Sequence, residues 1–248
     1  MRVICLEKML AWEYLFVNVK LLSVCSTKIC AGCAVSAKFT AFGGAKNLMK
    51  RLFHSSIVVA AALLLAVRVS AATTVENLQK AYEGEMNAAA KYTKFAAKAD
   101  AEGYANIASM FRAIAAAERV HAKNFQETIK EMGGKLKPAK IAPVKVGSTL
   151  ENLKAALAGE TYEATKMYPE MLSVAQKENA SRASVVINYA LGTEREHQKL
   201  FSGAIKNLKK GPKTTYYVCQ ICGLTLKELP PAVCPLCGFP KEEYKPVS

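Results

Sequence analysis

The chain has 248 residues, of which 51% are hydrophobic and 22% charged, so it can bury a core and is not intrinsically disordered. Its net charge of +14 suggests an anionic partner, but half of that charge lies in residues 1–71, where nine Lys or Arg accompany two Asp or Glu. Residues 72–248 hold no dense basic tract interleaved with aromatic residues, and the sequence therefore predicts no nucleic-acid binding.

Residues 1–48 show no clear helical or strand period and contain four cysteines, Cys5, Cys25, Cys30 and Cys33. A single C-x-x-C pair is a weak indication of a metal or redox site, and no role is assigned to these cysteines. The segment that follows has the features of a signal peptide, which should begin a protein. We therefore predict that translation starts at Met49 and that residues 1–48 are a spurious or unstructured extension.

Residues 49–71 form the predicted signal peptide. A basic start at 49–51 precedes an apolar run at 57–67 and a small-residue cleavage site at 69–71. Eleven apolar residues are too few to span a bilayer as a helix, although an uncleaved N-terminal anchor is the alternative. We expect export, to the periplasm, with no stable membrane insertion after cleavage. If the signal is not used, the protein is expected in the cytoplasm.

An all-α four-helix bundle is predicted for residues 72–210. Apolar periodicity, capping boxes and terminating glycines predict helices at 74–101, 104–132, 149–178 and 180–208. The link between the second and third helices contains two prolines and has no apolar period. Such a long link is typical of a crossover connection and not of a tight hairpin.

The two halves of this bundle repeat each other. Residues 74–85 align with 149–160 at an offset of 75, whereas two E-x-x-H motifs, at 118–121 and 194–197, align at an offset of 76. A duplicated helix pair packs about a pseudo-two-fold axis, so equivalent residues can meet at the centre of the bundle. A site for two metal ions requires that arrangement.

Each E-x-x-H motif places a carboxylate and an imidazole on one helix face, and Gly-Glu recurs at matching positions of the other two helices. A glutamate from each of two helices and Glu-x-x-His from the other two are the ligands of ferritin-like di-iron carboxylate proteins. Here the set is Glu85, Glu118, His121, Glu160, Glu194 and His197. It predicts two iron ions near charge neutrality, joined by a bridging carboxylate and able to act on one O–O bond. A solvated helix face is the alternative.

Three further residues are candidates for this site. Glu163 lies one turn after Glu160, and its counterpart in the first half is an alanine, so it is a potential seventh ligand or an ordinary surface residue. Tyr92 is seven residues after Glu85, and Tyr168 follows the Glu163 segment. Both tyrosines are predicted to assist the site, with core packing of a tethered hydroxyl as the alternative.

A metal-binding module is predicted for residues 211–248. Two C-x-x-C knuckles supply four ligands, Cys219, Cys222, Cys234 and Cys237. Disulfides are the alternative in an exported protein. Zinc is the usual metal of such a site, but a di-iron centre needs a source of electrons, which favours iron. The module's aromatic residues are expected to form its small core, and they are Tyr216, Tyr217, Phe239 and Tyr244.

Residues 74–246 resemble rubrerythrin, a ferritin-like di-iron bundle followed by a rubredoxin-like domain. The resemblance is specific, because both metal modules occur in the family's order and Glu163 occupies the family's extra-ligand position. The resemblance implies that the six residues above and Glu163 bind the two irons of the di-iron site. Tyr92 and Tyr168 match the family's tyrosines near that site. The four cysteines are implied to hold a rubredoxin-type iron. Zinc is possible in either site.

The resemblance implies a peroxidase that protects against oxidative stress by reducing hydrogen peroxide to water. Electrons are expected to arrive singly through the cysteine-bound iron from a donor protein of unknown identity, for which a periplasmic redox carrier is our hypothesis. One iron is expected to move between Glu163 and His121 as the oxidation state changes. The resemblance also implies a homodimer or larger homo-oligomer, in which the cysteine module of one chain serves the di-iron site of another.

Three other functions are consistent with parts of the sequence. A ferritin-like iron oxidase would store iron without an external reductant and would not need the cysteine module. A structural protein would hold zinc in both sites. A pure electron carrier would leave the bundle site without a role.

Overall fold

The computed structural model describes residues 72–248, so the predicted extension and signal peptide lie outside the described residues. The bundle helices are α1 Thr74–Ala101, α2 Ala105–Glu131, α3 Thr149–Tyr162, α4 Tyr168–Lys177 and α5 Ser181–Lys206. A π-helical segment, Glu163–Met167, joins α3 to α4. No helix within residues 72–248 is long and apolar enough to cross a membrane.

Capping boxes begin both halves of the bundle, as predicted. The Thr73 hydroxyl accepts a hydrogen bond from the Glu76 amide, and the Glu76 carboxylate accepts one from the Thr73 amide. Ser148 and Glu151 form the same pair at the start of α3. Each pair satisfies two amides that the helix leaves without an internal partner, so these two ends are fixed by local sequence.

The third predicted helix, 149–178, is interrupted by the π-helical segment. Through this insertion, the stretch from α3 to α4 is one residue longer than α1. That extra residue accounts for the change of the duplication offset from 75 to 76. The insertion also keeps the residues after Glu163 on the face that points into the bundle, since a π turn takes up one residue more than an α turn.

The crossover between α2 and α3 is extended and is held by side chains of α1. The Gln79 side chain exchanges two hydrogen bonds with the backbone of Lys137. Asn87 donates to the Lys140 carbonyl and accepts from the Ala142 amide. A segment without apolar periodicity is thereby fixed along the bundle and connects two helices that are not a hairpin.

The cysteine module contains a small antiparallel sheet. Its strands are β1 Tyr216–Cys219, β2 Thr225–Leu226 and β3 Tyr244–Val247, in the order β2-β1-β3. Gly223 and Gly238 end the two knuckles at φ +84° and +76°, and their amides donate to the carbonyls of Cys219 and Cys234. Glycine suits these turns because other residues rarely adopt positive φ.

The module packs against the bundle of its own chain. Tyr216 and Val218 of β1 join the apolar cluster that contains Phe111 and Phe201 of the bundle. Asn106 of α2 donates to the Lys209 carbonyl in the linker, and the Thr214 amide donates to the Ser109 hydroxyl. Tyr216 therefore serves the bundle core instead of the module's, and Phe239 is 44% exposed, so the predicted aromatic core of the module was wrong for these two residues.

Candidate metal centres

The bundle brings six predicted ligands together at its centre. They come from four helical stretches, and each side chain is at most 1% exposed. Donor atoms of these residues form two overlapping clusters, each within 4.8 Å: Glu85, Glu118, His121 and Glu194 in one, and Glu118, Glu160, Glu194 and His197 in the other. The duplication thus produces two adjacent sites with two shared carboxylates.

Glu118 and Glu194 lie between the two histidines. Glu118 Oε2 is 3.0 Å from His121 Nδ1, and its Oε1 is 3.4 Å from His197 Nδ1. Glu194 Oε1 and Oε2 lie 3.2 and 2.8 Å from the same two nitrogens. Glu85 and Glu160 each approach one histidine, at 3.7 and 3.2 Å. With two metal ions bound, Glu118 and Glu194 would each be shared by both ions, and Glu85 and Glu160 would each be a terminal ligand of one.

Burial of so many acidic groups changes their proton affinity. Burial and the neighbouring carboxylates raise the pKa of Glu85 and raise that of Glu160 to about 8. Burial alone would lower the pKa of His121, but the carboxylates of Glu194 and Glu118 raise it by a larger amount, and the net pKa is about 10. For Glu194 the two nearby imidazoles outweigh burial and lower the pKa. Without metal, the cluster therefore holds protons in place of cations.

The donor set fits two metal ions. Among the described residues, four buried atoms of the cluster have no hydrogen-bond partner: Glu118 Oε1, both carboxylate oxygens of Glu194 and His197 Nε2. The glutamate oxygens lie near imidazole nitrogens, but without hydrogen-bond geometry. Unsatisfied buried oxygens beside imidazoles suit cations that accept mixed oxygen and nitrogen ligands, as iron does.

Tyr92 and Tyr168 link the two halves of the site. The Tyr92 hydroxyl donates to Glu160 Oε1, and the Tyr168 hydroxyl donates to Glu85 Oε1. Both rings are fully buried, and burial raises the pKa of Tyr92, so its hydroxyl keeps its proton. Each tyrosine thus contacts the terminal carboxylate of the opposite half.

Glu163 begins the π-helical segment and lies beside, but outside, the two donor clusters. Burial and the charges of Glu160 and Glu194 raise its pKa, whereas Lys91 lowers it. Its role as an alternative ligand stays a prediction.

The four cysteines of the module converge on one point. Cys219 and Cys237 sulfurs are 3.8 Å apart, and those of Cys222 and Cys234 are 3.6 Å apart. These distances exclude disulfides, and all four cysteines are free. A tetrahedral metal with bonds of 2.3 Å requires sulfurs about 3.8 Å apart, so the site fits a single tetrathiolate ion.

A hydrogen bond joins the two metal sites. His121 Nε2 donates to the Cys222 carbonyl at 3.1 Å, which leaves Nδ1 free to face the carboxylates. The Thr193 hydroxyl donates to the same carbonyl at 3.1 Å. A Cβ at Gly223 would lie 2.4 Å from His121 Nε2, so only glycine permits this approach.

The resemblance implied that the cysteine module serves the di-iron site of another chain. The structure brings the module against the site of its own chain, and the number of chains in the assembly stays a prediction.

Thr193 was not identified from the sequence as part of the site. The position of Thr193 directly before Glu194 was the one available signal, but an alignment of the two halves pairs it with Ala117, so no repeat marks it.

Comparison with known proteins identifies both modules. A family model described as rubrerythrin matches residues 76–205, and one described as the rubredoxin-like domain of rubrerythrin matches residues 217–245. Rubrerythrin-2 of Clostridium acetobutylicum is 34% identical over 71% of this chain and 98% of its own length. Nigerythrin of Nitratidesulfovibrio vulgaris is 35% identical over 71% of this chain and 88% of its own length.

Solved structures agree with this assignment. The fully reduced, all-ferrous nigerythrin superposes with a TM-score of 0.66 at 35% identity, covering 73% of this chain and 90% of nigerythrin. The bacterioferritin of Desulfovibrio desulfuricans superposes with a TM-score of 0.51 at 26% identity, over 54% of this chain and 81% of its own. The predicted ferritin-like bundle with a rubredoxin-like domain is confirmed, as are a di-iron site and a four-cysteine knuckle.

Proposed function

The chain belongs to the rubrerythrin family, and we propose that it is a peroxidase that reduces hydrogen peroxide to water. The reaction consumes two electrons and two protons for each peroxide and releases two water molecules. The observation that carries the proposal is the hydrogen bond between His121 and the Cys222 carbonyl. This bond connects Cys222, a ligand of the tetrathiolate site, directly to His121, a ligand of the di-iron site.

The residues of the bundle provide the environment for this chemistry. When bound, the two iron ions supply a pair of electrons to the O–O bond. Glu118 and Glu194 would hold both ions, while Glu85 with His121 and Glu160 with His197 would each complete one. The closed apolar surroundings of the site exclude bulk water, which strengthens the electrostatic interactions among these groups.

Tyr92 and Tyr168 keep protons beside the site. Each hydroxyl donates a hydrogen bond to a terminal carboxylate, so each can orient that carboxylate and stabilise its charge. Because burial raises the pKa of Tyr92, the hydroxyl remains a hydrogen-bond donor at neutral pH. We assign the two tyrosines to positioning of these carboxylates.

The presence of the cysteine module favours a peroxidase over an iron oxidase that stores iron. Such an oxidase needs no reductant, whereas this chain holds a tetrathiolate site against its own di-iron ligands. We propose that electrons enter through the module from a donor protein, one at a time. Assembly into a dimer or larger homo-oligomer is part of the proposal.

Export is also a proposal, supported by the signal-like features of residues 49–71. It places the protein in the periplasm, where NAD(P)H cannot be the direct reductant and a redox carrier protein must serve. Mass spectrometry of the mature protein from its native host should give an N-terminus near residue 72. A mature N-terminus before residue 49 would contradict both the predicted start and the cleavage.

The peroxidase proposal is tested with anaerobically purified residues 72–248. The protein is reduced, which bleaches the ferric tetrathiolate colour, and is then given stoichiometric hydrogen peroxide. We expect rapid return of the colour in the unaltered protein and a loss of rate by orders of magnitude in Glu118→Ala, since that carboxylate serves both metals. Glu127→Ala, on the same helix with a 44% exposed side chain, is the matched control.

Three results would overturn the proposal. A colourless, zinc-rich protein would indicate a structural role. Reoxidation as slow in the unaltered protein as in Glu118→Ala would leave an electron carrier. Deposition of a ferric core without consumption of reductant would indicate an iron oxidase.

A further inference from the structure

One hydroxyl in the cysteine module bonds directly to a metal-binding sulfur. Tyr244 Oη lies 3.1 Å from Cys234 Sγ, and both residues are buried. The register of β3 on β1 pairs Tyr244 with Cys219, which places the tyrosine ring next to the four cysteines. The contact is therefore fixed by the sheet and by burial of the ring.

Tyr244 must be the donor in this hydrogen bond when the site is loaded. A metal-bound thiolate has no proton to donate, but its remaining lone pairs can accept a hydrogen bond. A tyrosine phenol ordinarily carries its proton at neutral pH, so Tyr244 supplies the O–H. The interaction is a neutral O–H pointing at a negatively charged sulfur.

We propose that Tyr244 tunes the reduction potential of the tetrathiolate iron and makes that iron easier to reduce. Four thiolates give a ferric site a net charge of −1 and a ferrous site a net charge of −2. A hydrogen-bond donor stabilises the more negative state to a greater degree, and hydrogen bonds to sulfur are among the main determinants of such potentials. Tyr244 thus acts on the iron through Cys234, without binding the metal itself.

This inference rests on iron in the cysteine site and does not depend on the peroxide chemistry. Peroxidase activity could be absent while the potential still responds to Tyr244, and the reverse could also hold. Failure of one can therefore be distinguished from failure of the other.

The test is a spectroelectrochemical titration of the iron-loaded protein, residues 72–248, with Tyr244→Phe. The phenyl ring fills the same space, so only the hydroxyl is lost. Loss of a donor that stabilises the ferrous state more than the ferric state should weaken the equilibrium for accepting one electron by about tenfold, which is about 59 mV toward negative potential. Tyr217→Phe is the matched control, because Tyr217 packs against the same cluster.

A second substitution keeps the inference testable if Tyr244→Phe binds iron poorly. Incorporation of 3-fluorotyrosine in place of Tyr244 provides a more acidic phenol of nearly the same size, which should shift the potential in the positive direction. Opposite shifts in the two proteins, with no shift in Tyr217→Phe, would support the proposal. An unchanged potential in either protein altered at position 244, or an equal shift in the control, would overturn it.

Discussion

Tyr168 donates a hydrogen bond to Glu85, which lies in the opposite half of the duplicated bundle. The equivalent tyrosine, Tyr92, makes the reciprocal bond to Glu160. Tyr92 follows Glu85 by seven residues, whereas Tyr168 follows Glu160 by eight. In an uninterrupted α-helix one extra residue would rotate Tyr168 by about 100° away from the site. The π-helical segment absorbs that residue, so the symmetry of the site depends on a local departure from α-helical geometry.

Deleting Thr165, an exposed residue within the π-helical segment, should therefore convert α3, the segment and α4 into one continuous α-helix. Tyr168 would then follow Glu160 by seven residues, as Tyr92 follows Glu85, so its hydroxyl should still face Glu85. We expect the thermal midpoint and the number of iron ions bound to stay close to those of the unaltered protein. Circular dichroism and metal analysis measure these two quantities.

Deletion of Ala90, which lies between Glu85 and Tyr92 in the uninterrupted helix α1, is the contrasting change. No π turn supplies a spare residue there, so Tyr92 should rotate by about 100° away from the site, and both metal content and thermal midpoint should fall. Equal effects of the two deletions would mean that the π-helical segment has no special role.

Two glutamates cap helices in a reciprocal manner. The Glu102 carboxylate accepts hydrogen bonds from the amide and hydroxyl of Thr149 at the start of α3, at 2.8 and 2.6 Å. Glu178 accepts from the Thr74 amide at the start of α1, at 3.0 Å. Hydrogen bonds from Thr149 lower the pKa of Glu102 to about 2, and bonding to Thr74 lowers that of Glu178. Each half of the bundle thus caps the other.

The caps should make the stability of the bundle depend on pH in acid. A pKa lower in the folded state than in the unfolded state stabilises the fold above about pH 4.5, and this contribution is lost as the pH falls toward 2. We expect Glu102→Gln to reduce the slope of unfolding free energy against pH between these limits. Urea titrations across that range measure the slope. Glu127→Gln is the control, and an unchanged slope in Glu102→Gln would refute the assignment.

The ligand set of the bundle could be predicted from sequence because helical periodicity decides which residues share a face. Glu118 and His121 are three residues apart, and the repeat supplied their partners. The sequence also shows the change of offset from 75 to 76, but it does not say where between residues 160 and 194 the extra residue lies. Its conformation could not be predicted, because an inserted residue can be absorbed by a π turn, a bulge or a shifted loop, and packing of Tyr168 decides among them.

The contact between His121 and Cys222 had no sequence signal. It depends on the path of the linker, which Asn106 and Ser109 fix through hydrogen bonds formed only in the folded state. The same holds for Tyr244, since its bond to Cys234 follows from strand register. Local spacing predicts which residues bind metal, but tertiary packing decides what lies beside them.

Thr193 should control how firmly the module is held at the di-iron site. Its hydroxyl and His121 Nε2 together satisfy both lone pairs of the Cys222 carbonyl. Thr193→Val keeps the shape and removes one donor. We expect faster hydrogen exchange of backbone amides in the 219–224 knuckle and slower peroxide-driven reoxidation of the tetrathiolate iron.

Thr161→Val is the matched control, because the Thr161 hydroxyl bonds to a carbonyl of its own helix at an exposed position. It should change neither the exchange of the knuckle nor the reoxidation. If exchange at the knuckle is the same in Thr193→Val as in the unaltered protein, the hydroxyl does not hold the module.

Metal binding should release protons from the bundle site. In the metal-free chain Glu160, with its pKa raised to about 8, and His121, with a pKa of about 10, both carry protons at pH 7. Ligation requires the deprotonated forms, so affinity for metal should fall as the pH is lowered.

Calorimetric titration of the metal-free chain with zinc, in buffers of different ionisation enthalpy, measures the number of protons released per ion. At pH 7 we expect Glu160→Gln to release about one proton fewer than the unaltered chain, because the carboxyl that holds it is gone. The four cysteines contribute equally in both proteins and cancel in the difference. Identical proton release at identical zinc stoichiometry would show that Glu160 is ionised before metal arrives, and that the buried cluster balances its charge in another way.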